Sequence, residues 1–115
     1  MIELDRETIA DFVAEALAEI PAELARAMSN VQVVVSDRNV DEPELLGLYE
    51  GVPLTERGDT YAGMLPDRIT IYTEPLLDMC TTVFEVAEEV RITVLHEVGH
   101  HFGIDDDDLD ELGWG

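Results

Sequence analysis

The chain has 115 residues, 46% of them hydrophobic and 6% aromatic, which suits one folded domain with a modest core and excludes a disordered acidic tail. Twenty-seven Asp and Glu against six Arg and no Lys give a net charge of −21, which repels nucleic-acid phosphates and anionic membrane surfaces, so neither is an expected partner. The same field keeps the surface solvated and favours cations and basic substrates.

At the N-terminus, Met1-Ile2-Glu3-Leu4-Asp5 has neither the positive n-region nor the apolar h-region of a signal peptide. No apolar run approaches the roughly 20 residues of a membrane span. The lone Cys80 has no internal disulfide partner. A cytoplasmic protein is the expectation. A helix is predicted over residues 5–19, capped by Asp5 or Thr8, with Ile9, Phe12, Val13, Ala16 and Leu17 on one face. Pro21 opens a shorter helix to about Met28, and Ser29-Asn30 ends it. The β-branched run Val31-Gln32-Val33-Val34-Val35 reads as a strand in the interior of a sheet. Residues 41–46 suit one helical turn.

Between Gly47 and Asp67 the signals turn to Gly, Pro and charge, with short strands expected near Leu48–Tyr49 and Thr60–Met64 around an excursion at Pro53–Asp59. This region is a candidate cleft wall or lid. Ile69-Thr70-Ile71-Tyr72 alternates as a strand does, and Pro75 opens a short helix whose Met79 is expected in the core. Thr81 or Thr82 caps the principal helix, which runs to about Phe102. Its expected apolar stripe is Val83, Ala87, Val90, Val94 and Val98, widened by Phe84, Leu95 and Phe102. Asp107 or Asp108 caps a last helix in which Leu109 and Leu112 pack down, with Trp114 over the core.

The chemistry lies at the end of the principal helix, in His96-Glu97-Val98-Gly99-His100. Two histidines four apart share a helix face and can grip one metal ion, and Zn²⁺ accepts nitrogen ligands readily. Glu97 lies beside them, placed to take a proton from a water that the metal activates. Gly103 ends the helix in a left-handed turn, and Asp106 follows three residues later as a carboxylate able to become the third ligand. Among four consecutive aspartates, spacing selects Asp106, while a different turn would select Asp105 or Asp107, and Glu111 is a remoter alternative. His101 lies about 100° round from His100 and is read as a supporting or solvated side chain. The plain alternative is an amphipathic helix with histidines on its polar side. The five-residue pattern arises by chance in about one chain in a hundred of this composition, and the added Gly and Asp lower that by about two further orders of magnitude.

The stretch His96–Asp106 resembles the zinc signature of the zincin metallopeptidases, in the long form shared by metzincins. Asp106 stands where the third ligand is usually His, as in the small secreted snapalysin-type proteases. Leu46-Gly47-Leu48-Tyr49-Glu50-Gly51-Val52-Pro53-Leu54, Leu65-Pro66-Asp67-Arg68-Ile69-Thr70-Ile71-Tyr72 and Thr93-Val94-Leu95-His96-Glu97 resemble a bacterial family of minimal zincin-like metallopeptidases. The resemblance spans about residues 45–112. No Met follows Asp106, so the methionine turn of the metzincins is missing and the minimal family is the better match.

That resemblance implies an α+β minimal zincin-like fold: a small mixed sheet of three to four strands packed on the zinc-binding helix and the N-terminal helices. It implies one Zn²⁺, on His96, His100 and Asp106, and a peptide or protein substrate paired with an edge strand, either Ile69–Tyr72 or its neighbour. The function expected is zinc-dependent peptide hydrolysis with Glu97 as general base. A non-catalytic, zinc-stabilised interaction module is the alternative, and metal buffering by the acidic tail a weaker third. Tyr49, Tyr61, Tyr72 and Arg57 are the candidates for a donor to the oxyanion.

Overall fold

A computed structural model describes residues 2–57 and 66–112, the side chain of Leu112 excepted. Asp5 starts the first helix, α1 (Arg6–Ala18), its carboxylate accepting the Thr8 N–H at 2.8 Å. Ile9, Val13 and Ala16 recur on the face that α1 buries. Pro21 precedes α2 (Ala22–Ala27), which buries none of its residues.

Three strands follow, β1 (Val31–Ser36), β2 (Gly47–Glu50) and β3 (Asp67–Tyr72), in the spatial order β1-β3-β2. β1 runs parallel to β3 and β2 antiparallel to it. The small mixed sheet is therefore as expected, but its interior strand is β3, and β1 lies at an edge. A continuous apolar run suggests cover on both faces, yet the side chains of β1 are only half-buried, whereas β3 exposes only Arg68. β3, paired on both sides, is therefore not an edge strand. Between β1 and β2 the expected helical turn is instead a side-chain-closed turn. Asn39 Oδ1 accepts the N–H groups of Asp41 and Glu42 at 2.9 and 2.8 Å, and the Leu45 N–H reaches the Glu42 carbonyl at 3.0 Å.

Helix α3 (Thr73–Met79) continues directly from β3 and buries Leu76, while Met79 is 53% exposed and so is not a core residue. Helix α4 (Val83–His101) opens with a full capping box: the Thr82 hydroxyl accepts the Glu85 N–H, and the Glu85 carboxylate accepts the Thr82 N–H. Its buried stripe begins at Val86 and passes through Val90, Val94 and Val98 to His101. Val83 and Phe84, expected in that stripe, are 47% and 77% exposed. Period alone fits a stripe through Val83 and Ala87 nearly as well as one through Val86 and Val90, and contact with α1, β2 and β3 selects the second.

These helices and the sheet enclose one apolar cluster that includes Ile9, Val13, Ile69, Ile71, Val90 and Val94. The last helix, α5 (Asp106–Leu112), is held against α4 by fully buried Leu109. Its cap is Asp105, whose Oδ1 accepts the Asp108 N–H at 3.0 Å, rather than Asp107 or Asp108. The strand expected at Thr60–Met64 and the Trp114 cover lie outside the described residues. No helix among the described residues is long and apolar enough to cross a membrane.

Candidate metal centre and cleft

His96, Glu97 and His100 occupy the last two turns of α4, and the chain then reverses. Gly103, at φ +82°, makes that reversal as sequence spacing predicts. Its N–H meets the His100 carbonyl at 2.9 Å and the Ile104 N–H meets the Gly99 carbonyl at 3.0 Å, a complete Schellman closure. A side chain at Gly103 would also strike Thr55, since a Cβ there would lie 2.1 Å from Thr55 Oγ1. Leu109 rests directly on Gly99, where a Cβ would come within 2.2 Å of Leu109 Cδ2. Gly99 and Gly103 thereby bring α5 close to α4.

That approach carries Asp106 back over the histidines. Asp106 Oδ1 stands 2.9 Å from His100 Nε2 and 3.2 Å from His96 Nε2. The imidazole rings meet edge to face, with centroids 4.6 Å apart. Glu97, 7% exposed, points the other way round the ring and reaches His100 Nδ1 at 3.2 Å. His96, Glu97 and His100 can each offer a ligand atom within 4.8 Å of the others. Glu97 and Asp106 are thus both near enough to contribute oxygen, but only Asp106 faces both Nε2 atoms.

The donor set fits a metal. Ligand atoms bound tetrahedrally at about 2.0–2.1 Å stand roughly 3.3 Å from one another, and the Asp106 oxygen lies within a few tenths of an ångström of that separation from both imidazoles. Two imidazole nitrogens with one carboxylate oxygen suit borderline Zn²⁺. The His100 hydrogen bond, and then the charges of both histidines, hold the Asp106 carboxyl below the usual range, so the oxygen facing the site is ionised at neutral pH.

His101 is fully buried and not solvated. The Ser29 N–H donates to its Nε2 at 3.3 Å, which places the ring proton on Nδ1, and that N–H donates to Asp67 Oδ2 at 3.0 Å. Burial lowers the His101 pKa more than Asp67 raises it, so the ring is neutral. Asp67, 2% exposed, also accepts the Tyr49 hydroxyl, the Arg57 guanidinium at 2.7 Å and the Val52 N–H at 3.2 Å. Arg57 further donates to the carbonyls of Val52 and Ser29. Sequence reasoning missed this Asp67 cluster. Its one local signal is Gly51, at φ +150°, where any Cβ would fall 2.3 Å from Asp67 Oδ1. Of the candidate oxyanion donors, Tyr49 and Arg57 are therefore engaged by Asp67, and the Tyr72 hydroxyl accepts from Asn39 at 2.9 Å. Tyr61 lies outside the described residues.

Beside the histidines, β2 packs on α4 so tightly that a Cβ at Gly47 would lie 2.6 Å from Thr93 Cγ2 and 3.3 Å from Glu97 Cγ. An open cleft of about 310 Å³ runs along this junction, lined by Leu45, Leu46 and Gly47 on one side and Ile92, Thr93 and Glu97 on the other. Larger hollows near Arg38 and Pro43 touch none of the metal-centre residues. Among the described residues β2 pairs only with β3. Because the Tyr72 N–H bonds the Leu46 carbonyl, alternation makes Leu48 and Glu50 the next bonded positions. The backbone N–H and C=O groups of Gly47 and Tyr49 consequently face away from β3.

The profile of a family described as zincin-like metallopeptidase matches residues 28–114. The fold is similar to that of a conserved hypothetical protein from T. thermophilus, with a TM-score of 0.57 and 24% identity over 95% of this chain and 97% of that one. No curated protein matches.

Proposed function

The chain belongs to the zincin-like metallopeptidase family, and from that premise we propose that it is a zinc-dependent peptide hydrolase acting at the end of α4. Nε2 of His96, Nε2 of His100 and Oδ1 of Asp106 would hold the ion. Once bound, Zn²⁺ supplies a Lewis acid that makes water more acidic and polarises a carbonyl.

The protein's own groups do the rest. Glu97 is buried beside the histidines, with its backbone fixed in the middle of a helical turn. Its carboxylate takes the proton of the attacking water and returns it to the departing amine nitrogen. The backbone N–H and C=O of Gly47, turned away from β3 beside Glu97, hold an extended peptide by hydrogen bonds, as an added strand does. Gly47, without a side chain, lets β2 pack directly on Thr93 and Glu97.

The observation that carries this reading is the convergence of both Nε2 atoms on one Asp106 oxygen, with Glu97 alongside rather than between them. One observation favours the second reading, a zinc-stabilised interaction module without turnover: Tyr49 and Arg57 both donate to Asp67. The experiment is digestion of a broad peptide library by zinc-loaded wild type and Glu97→Gln, with chelation and zinc re-addition. Loss of the base is expected to slow hydrolysis about 10²–10⁴-fold while zinc remains bound. Equal rates would refute the role of Glu97, and no cleavage by wild type would favour the module.

A further inference from the structure

The cleft beside the metal centre continues away from it along α4. Glu89, Ile92, Thr93, His96 and Glu97 share one helix face, with spacings of three, four, seven and eight residues. Glu89 lines the far end of the cleft and is half-buried, and Glu97 lines the near end. The walls between them are apolar, formed by Leu45, Leu46 and Ile92. A short, mainly apolar cleft with a carboxylate at one end matches a side chain with an aliphatic stem and a cationic tip.

Dimensions agree with that match. Glu89 lies one turn, roughly 6 Å, beyond Thr93 and roughly 12 Å beyond Glu97 along the axis. A lysine or arginine stem reaches about 6–7 Å from its Cα. A residue whose backbone sits over Thr93, next to a carbonyl held near Glu97, would set its charged tip at Glu89. Arginines that could neutralise this end are committed elsewhere: Arg91 to Glu19 at 2.7 Å, Arg57 to Asp67, and Arg38 to Glu74 and Asp78. Glu85 and Glu88 lie with Glu89 around a neighbouring hollow, within a chain of net charge −21.

We infer that the cleft selects peptides carrying Lys or Arg next to the bond presented to Glu97, with Glu89 as the specificity-determining residue. The inference rests on the reading of this cleft as a peptide site, but substrate preference and turnover can be measured apart.

The test uses zinc-loaded Glu97→Gln protein, so that binding is read without cleavage. The probes are alanine-based hexapeptides in which one position at a time holds Lys or its uncharged isostere norleucine, and affinity is measured by calorimetry. At one position Lys should bind about 2–5-fold tighter than norleucine, and the preference should shrink as salt rises. Adding Glu89→Gln should reduce that ratio to about one while norleucine binding stays within about twofold, which isolates the pair as a double-mutant cycle does. Equal binding of the two peptides at every position, no binding of any peptide, or a Lys preference that survives Glu89→Gln overturns the inference. Cleavage of the same peptides by wild type is scored separately. Cleavage without Lys preference sinks this inference and spares the hydrolase reading, whereas Lys-selective binding without cleavage does the reverse.

Discussion

Asp67→Asn is the substitution whose cost follows most directly from the structure. It is nearly isosteric, so the cavity term is negligible, and the change is electrostatic. Asp67 and Arg57 have side chains only 3% and 9% exposed, so removing the anion breaks a buried ion pair. Such a broken buried pair costs about 3–5 kcal/mol. Arg57 keeps the carbonyls of Val52 and Ser29 as acceptors, which puts the loss near the lower end, about 3 kcal/mol. Against a total stability of about 5–15 kcal/mol, that is a Tm drop of roughly 12 °C.

The pH dependence supplies a second readout of the same cluster. Burial alone would raise the Asp67 pKa, but hydrogen bonds from Tyr49, the Val52 N–H, His101 and Arg57 outweigh it and hold the carboxyl below its ordinary value. The unfolded chain titrates near ~3.9, so just below that pH the unfolded state binds the proton more readily. The Asp67 contribution is complete above about pH 4 and is lost as pH falls through the folded pKa. Urea denaturation from about pH 7 to about pH 3 should therefore show the gap between wild type and Asp67→Asn closing only in the acid. The double variant Arg57→Met, Asp67→Asn should recover about 1–2 kcal/mol, since both charges of the pair are then removed together. A cost below about 1 kcal/mol, or a double variant no more stable than the single, would refute the argument.

Other expectations concern α5 and its aspartates. Asp106→Ala should weaken zinc binding at least tenfold in a competition titration while leaving the melting temperature of the metal-free protein within about 2 °C, because its side chain is 74% exposed. Asp105→Ala should do the opposite, costing about 1 kcal/mol as a lost helix cap, with zinc affinity changed less than about threefold. Leu109→Ala should cost about 2–5 kcal/mol in denaturant melts, because a fully buried side chain resting on Gly99 is removed. It should also weaken zinc binding by loosening the helix that carries Asp106.

The grouping of His96, His100 and Asp106 was legible because its information is local. Helical period places His96 and His100 on one face, Gly103 turns the chain at a fixed distance, and Asp106 follows within one short turn, so no long-range contact is needed to bring them together. The capping Thr82 and the α1 face of Ile9, Val13 and Ala16 were legible for the same reason. Strand β1 shows where local signals end. Val31 to Val35 look like an interior strand, but which strand takes the middle depends on pairing with residues more than 30 positions away. His101 shows it more sharply. Nothing beside it in sequence reveals that Asp67, 34 residues earlier, waits as its acceptor, nor that Arg57 and Tyr49 meet the same carboxylate. A charged residue inside an apolar strand is ordinarily read as the strand's solvent-facing start. Its burial becomes intelligible only once three separate segments supply donors.

The most direct test of the central claim is metal stoichiometry by titration of the stripped protein, followed by mass spectrometry under native conditions. Wild type should bind one Zn²⁺ per chain and release it in acid, where protons compete for the ligand atoms, and His100→Ala should bind none tightly. Full-strength binding by His100→Ala, or a wild-type chain that takes up no zinc, would contradict the assignment of the metal to His96, His100 and Asp106.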